Sequence, residues 1–171
     1  MKKVDLEYKK GDVIVHASHG IGTVKGITTK KIGGEKQVFY KVKTDQLTYW
    51  LPVSKSDSDR IRSMRAASTF NTTLSLIRRK PKKLNKNFRS RLKHIKEELA
   101  KCSLKSNAKL LRDLFARDLE KPLHMNENRI YEKLKRQFVN EWSMSAGISK
   151  SEAEQKLEKA LYTSAEKVST N

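Results

Sequence analysis

Apolar and polar residues alternate over the first 53 positions, and the period then becomes helical. Asp12-Val13-Ile14-Val15-His16 predicts a strand, because strict alternation puts one face of a strand into a core. His19-Gly20-Ile21-Gly22 predicts a turn into a second strand, Thr23-Val24-Lys25-Gly26-Ile27-Thr28. Ile32-Gly33-Gly34-Glu35 predicts a tight hairpin turn, since Gly-Gly supplies the positive φ such turns need. Gln37-Val38-Phe39-Tyr40-Lys41-Val42 is the third strand and Leu47-Thr48-Tyr49-Trp50-Leu51-Pro52-Val53 the fourth, with Pro52 marking a strand end or an edge. Of seven glycines only Gly147 lies beyond residue 35. Four short strands at close spacing predict a small curled sheet or barrel.

Past Ser54-Lys55-Ser56-Asp57-Ser58-Asp59 the spacing predicts helices over about 67–79, 87–101, 106–120, 127–145 and 149–163. Ser149-Lys150-Ser151-Glu152 has the form of a capping box, and Asn126 ahead of Glu127 is the expected N-cap of the fourth helix. Pro81 and Pro122 fall between helices, where a missing N–H does no harm. The third helix carries Leu110, Leu111, Leu114 and Phe115 on one stripe, and Trp142 in the fourth is expected in the core. The fold class is therefore α+β: a β domain over 1–64 and an all-helical domain of about five helices over 65–171.

Charge narrows the function. Lys and Arg number 38 against 19 Asp and Glu, a formal net charge of +19. A field of that sign attracts polyanions, nucleic acid first. The densest stretch is Arg78-Arg79-Lys80-Pro81-Lys82-Lys83-Leu84-Asn85-Lys86-Asn87-Phe88-Arg89-Ser90-Arg91-Leu92-Lys93, which carries nine basic residues and no acid. It sits at the start of a predicted helix, where Lys, Arg, Asn and Ser side chains and the helix N-terminus can contact phosphates. No apolar run reaches the roughly 18 residues of a membrane span. The start Met1-Lys2-Lys3-Val4-Asp5 is not followed by a signal-peptide core, so a soluble, cytoplasmic protein with no membrane partner is expected.

Catalytic chemistry is expected to be absent. His16 and His19 stand three apart across a turn, a spacing compatible with a metal, but no third ligand lies close by, and a turn or packing role is the simpler reading. The single cysteine, Cys102, is expected to pack as a small apolar residue near a helix end. Gly20-Ile21-Gly22 lacks the third glycine of a dinucleotide loop, and no phosphate-binding loop pattern occurs. No cofactor, metal or small-molecule substrate is therefore expected. On the residues alone, Phe88 within the basic run is either a core residue or an apolar wedge for a minor groove, the core being the simpler place.

Residues 8–163 resemble the CarD/CdnL family of bacterial transcription regulators. The resemblance is carried by Gly11-Asp12-Val13-Ile14-Val15, His19-Gly20-Ile21-Gly22-Thr23-Val24, Ile32-Gly33-Gly34, Phe39-Tyr40-Lys41-Val42 and Leu51-Pro52-Val53 in the first half. That half is also similar to the polymerase-interaction domain of transcription-repair coupling factors. In the second half it is carried by Arg112-Asp113-Leu114-Phe115-Ala116-Arg117-Asp118-Leu119-Glu120-Lys121 with Leu123, Glu127 and Arg129, and by Asn87-Phe88-Arg89-Ser90-Arg91. The resemblance implies a Tudor-like β domain that binds the β-subunit lobe of RNA polymerase. It also implies a helical domain that touches promoter DNA at the upstream edge of the transcription bubble, stabilising the open complex. DNA contacts then fall on Lys86, Asn87, Phe88, Arg89, Arg91 and Lys93, with Phe88 as the wedge. The family's wedge is usually Trp; Phe88 is smaller and lacks the indole N–H. Polymerase contacts fall on one strand face with Lys30, Lys31 and Trp50, the last standing where some members carry Arg. Trp50 has a second reading, as a residue closing the barrel core. Arg112, Asp113, Arg117 and Asp118 are expected to form pairs that pin neighbouring helices. The chain is expected to act as a monomer and without catalysis. The competing class is an architectural nucleic-acid binder with no polymerase partner; a nuclease would need clustered acids, and the acids here are dispersed among lysines.

Overall fold

The computed structural model describes residues 6–54 and 59–169, and the chain divides into two compact units, Met1–Met64 and Arg65–Asn171. The amino-terminal Met1-Lys2-Lys3-Val4-Asp5 stretch and most of the Ser54–Asp59 step lie outside the described residues.

The first unit is one antiparallel sheet of β1 (Val13–His16), β2 (Gly20–Ile32), β3 (Glu35–Lys43), β4 (Thr48–Pro52) and β5 (Ile61–Ser63), in the order β4-β3-β2-β1-β5. The alternation of the sequence becomes the alternation of the pleat. Val24 pairs with Val42 and Tyr40 with Leu51, and these side chains join Tyr8 and Ile14 in a small core. Gly33 and Gly34 have φ of 60° and 87°, so the two-residue turn closes with Ile32 opposite Glu35. A Cβ on Gly22 would lie 2.5 Å from Cγ1 of Val42, so this glycine is needed for close packing within the sheet and not for the turn. The turn runs over residues 17–19. His16 Nδ1 accepts the backbone N–H groups of Ser18 (3.0 Å) and His19 (3.2 Å) there, and the two imidazoles stack at 4.6 Å. Strand β5 was not visible in the alternation because three residues are too few to show a period.

The second unit holds α1 (Ala67–Ile77), α2 (Phe88–Ala100), α3 (Leu104–Glu120), α4 (Met125–Ala146) and α5 (Lys150–Ser169). Its core is built around α3, which packs against each of the other four helices and buries Leu104, Ala108, Leu110, Leu111 and Leu114. Phe70 is fully buried; its ring stacks on Trp142 at 5.8 Å and meets Phe138 edge-on at 5.4 Å. Burying one such side chain stabilises the fold by about 1.5–3 kcal/mol. Ser149 caps α5 by accepting the Glu152 N–H at 3.0 Å, the first half of the expected capping box, while the Glu152 carboxylate bonds Lys156 at 2.7 Å. Cys102 follows the end of α2 at φ 47°, buried, a left-handed position that non-glycine residues seldom occupy.

The charges of the helix 106–120 depart in part from the expectation of helix-to-helix pairs. Arg112 and Asp113 are buried and bond each other at 2.7 Å, and they reach outward to backbone. Asp113 accepts the Lys82 N–H at 2.9 Å, and Arg112 Nη1 donates to the Leu76 carbonyl at 3.5 Å. Asp118 accepts the Leu123 N–H at 2.9 Å, and Arg117 donates to the Lys121 carbonyl at 2.7 Å. Arg112 thus ties α3 to α1, as expected, while Asp113, Arg117 and Asp118 hold the connectors between α1 and α2 and between α3 and α4. Among the described residues no helix is long and apolar enough to cross a membrane.

Candidate nucleic-acid interface

The basic run falls on the connector between α1 and α2 and on the first turns of α2. A connector this rich in cations repels itself, so something must hold it. Ser164 Oγ donates to the Arg79 carbonyl and Lys167 Nζ to the Arg78 carbonyl, both at 2.6 Å. The bond from the Lys82 N–H to Asp113 ties down the middle. These bonds go to backbone atoms and leave Lys80, Lys82, Lys83 and Lys86 exposed.

The far end is held by Arg91, which corrects the sequence expectation. Arg91 is not a phosphate contact: its side chain is 5% exposed and paired with Glu127, which is 1% exposed. Its Nε donates to Glu127 Oε1, its Nη2 to Oε2 at 3.1 Å, and its Nη1 to the carbonyls of Asn85 (2.8 Å) and Lys86 (3.1 Å). The guanidinium is consumed in closing the connector onto the start of α4. Burial raises the Glu127 carboxyl. The hydrogen bonds and charge of Arg91, the His124 N–H and the charge of Arg117 more than reverse this, holding it below the usual carboxylate range.

Asn87 is the N-cap of α2: its Oδ1 accepts the Ser90 N–H at 3.1 Å, and its own N–H donates to Asn85 Oδ1 at 2.8 Å. Phe88 is the first residue of the helix. It is half-buried and stands outside the hydrophobic core of this unit, so the core reading does not hold. Its ring lies 4.4 Å from that of His124, and the Arg91 guanidinium carbon is 5.8 Å from its centre. Arg89 and Lys93 are exposed one turn apart and line a shallow hollow with Leu92, Lys96 and Ala100. Lys93 approaches Glu97 at 3.9 Å with both side chains in solvent, a pair of little strength.

The N-cap of α4 is His124, not Asn126. The His124 N–H donates to Glu127 Oε2 at 3.0 Å, and Nδ1 accepts from the Asn126 N–H at 3.5 Å. Sequence reasoning gave His124 no role and named Glu127 only as an acid of the first turn and as part of the family resemblance, not as the partner of Arg91. The signal was present in the glutamate three residues after the cap position, but histidine is not among the preferred caps.

On the sheet, Trp50 is 45% exposed, so it does not close the core. Trp50 pairs with Lys41, placing it on the face opposite Leu51 and Tyr49. Lys30 pairs with Gln37 on that same face, and its ammonium sits 3.6 Å from the centre of the Trp50 ring. Lys31 falls on the other face because neighbouring strand residues alternate, so the three expected contacts do not share one surface. Tyr49, on the core face with His16 and His19, has its hydroxyl pushed up to about 12 by burial. Among the described residues no group of three or more His, Cys, Asp or Glu side chains is placed to hold a metal ion.

The chain is thus a small antiparallel sheet unit followed by a basic helical unit, each with an aromatic ring set beside a cation outside its core. Residues 72–158 match the CarD C-terminal domain, and residues 8–65 match the CarD-like/TRCF RID domain. The chain belongs to the CarD family and is a transcription regulator. It is 23% identical over 144 residues to the Bacillus subtilis (strain 168) protein named "Putative transcription factor YdeB", an alignment covering 83% of this chain and 94% of that one.

Proposed function

We propose that this regulator acts at initiation without catalysing a reaction. The sheet unit docks on the β-subunit lobe of RNA polymerase, and the helical unit contacts promoter DNA at the upstream edge of the bubble. The observation that carries this reading is the start of α2. An aromatic ring outside the core begins α2, in a stretch that also exposes Lys86, Arg89 and Lys93 and directly after a connector held by bonds to its backbone. The cations fit phosphates and position the unit without reading sequence. The ring fits a base step that has begun to unstack.

Opening the upstream fork unstacks such a step, so Phe88 binds the open complex better than the closed duplex. Only differential affinity of this kind shifts the equilibrium between them. On the sheet, Trp50 and Lys30 present an aromatic and cationic pair of the type that anchors protein interfaces.

The test is the lifetime of the open complex on a promoter fragment, with and without the protein. The protein is expected to lengthen it. Phe88→Ala is expected to cut the effect about tenfold, equivalent to about 1.4 kcal/mol, with the helical unit still folded by circular dichroism and polymerase binding kept. A folded Phe88→Ala protein with an unchanged lifetime would show that the basic run acts through phosphates alone. DNA binding with no polymerase capture would favour an architectural role.

A further inference from the structure

We infer that His124 completes the DNA-facing surface at Phe88 by supplying the hydrogen-bond donor that a phenyl ring lacks. The inference rests on the reading of Phe88 as DNA-facing. It is carried by the placement of the imidazole. His124 is exposed, and its ring lies 4.4 Å from that of Phe88 at an interplanar angle of 42°, so the two rings form one aromatic surface.

The backbone of the residue is held firmly. It caps α4, and its backbone N–H is bound to the carboxylate of Glu127, itself fully buried beneath Arg91. Its Nδ1 accepts from the Asn126 N–H. With Nδ1 an acceptor, the neutral imidazole carries its hydrogen on Nε2. The pair therefore offers stacking area from Phe88 and an N–H donor from His124. An opened minor-groove step presents both counterparts: a base face, and acceptors such as adenine N3 and thymine O2. Phe88 alone engages only the first.

The test uses the full chain with its RNA polymerase holoenzyme on a promoter fragment, comparing Phe88→Ala, His124→Asn, His124→Phe and the double variant His124→Phe with Phe88→Trp. His124→Asn keeps a short acceptor at a position where Asn is a preferred cap, so its melting temperature is expected near wild type, while its amide NH2 falls where the imidazole has Cδ2 and stops short of the place of Nε2. Losing one neutral hydrogen bond is expected to shorten the open-complex lifetime about three- to tenfold in both single His124 variants. Phe88→Trp placed in His124→Phe is expected to restore it, because the indole N–H returns a donor to the same surface. A wild-type lifetime in His124→Phe, or failure of Phe88→Trp to rescue, overturns the donor role. If Phe88→Ala shortens the lifetime and neither single His124 variant does, the role of His124 falls and that of Phe88 stands. If Phe88→Ala changes nothing, the reading of Phe88 fails first and takes this inference with it.

Discussion

Trp50 on the sheet and Phe88 at the start of α2 are both aromatic rings set outside a hydrophobic core beside positive charge, yet they are held by opposite means. Trp50 is fixed by strand register, its exposed ring covered on one side by half-buried Lys30. A cation over an exposed ring contributes only about 0.5–1 kcal/mol. Phe88 stands over a buried ion pair. Arg91 and Glu127 lie 36 positions apart, and their bonds join the connector, α2 and the cap of α4 around the ring. The first arrangement lets a side chain adapt to a partner surface. The second fixes a side chain before the partner arrives, which lowers the ordering cost of binding.

The largest effect that can break this comparison comes from the buried pair. Glu127→Ala leaves the Arg91 charge buried without a counter-charge, and about 3–5 kcal/mol of stability is expected to be lost, read by urea or thermal unfolding. The pH dependence follows from the depressed Glu127 carboxyl. Its contribution is complete above the ordinary value of 4.5 and is lost as pH falls through the lowered folded-state value. Glu127→Gln should remove that part of the acid unfolding curve. A Glu127→Ala protein as stable as wild type would mean that Phe88 is no more firmly held than Trp50.

The next effect is on the sheet. Trp50→Ala is expected to weaken polymerase binding by about 2 kcal/mol while leaving the melting temperature nearly unchanged, because the ring is an anchor without a packing role. A drop in melting temperature comparable to that of Glu127→Ala would contradict the exposed placement.

The smallest effect sharpens the contrast inside α2. Arg89→Ala is expected to leave the fold intact and reduce the slope of log K against log salt by about 0.9, the contribution of one phosphate. Arg91→Ala, two residues along, should behave instead like Glu127→Ala and unfold the start of the helix. Identical salt slopes for wild type and Arg89→Ala would remove Arg89 from the interface.

Much of the architecture was legible because it is local. Alternation over 12–53, the Gly33-Gly34 turn, the cap at Ser149 and the apolar stripe of α3 depend on residues a few positions apart, and each reappears as an element or a cap. The site was legible only in outline. The density of cations marked the connector and the start of α2, but the cations there are not equivalent, and sequence gives no rank among them. Arg89 is exposed and Arg91 buried although both are arginines in one turn of helix.

The chain by itself determined the types and order of the longer elements, the two-part organisation and the sign of the field, because periodicity, turn residues and charge act over short range or simply add. Which charge is buried, which ring is held and what holds it were decided only by tertiary structure. A guanidinium is consumed or exposed according to whether a carboxylate arrives beside it from another helix. Here that carboxylate is Glu127, brought in by the packing of α4 and bonded at once to Arg91 and to the cap that positions His124 on Phe88.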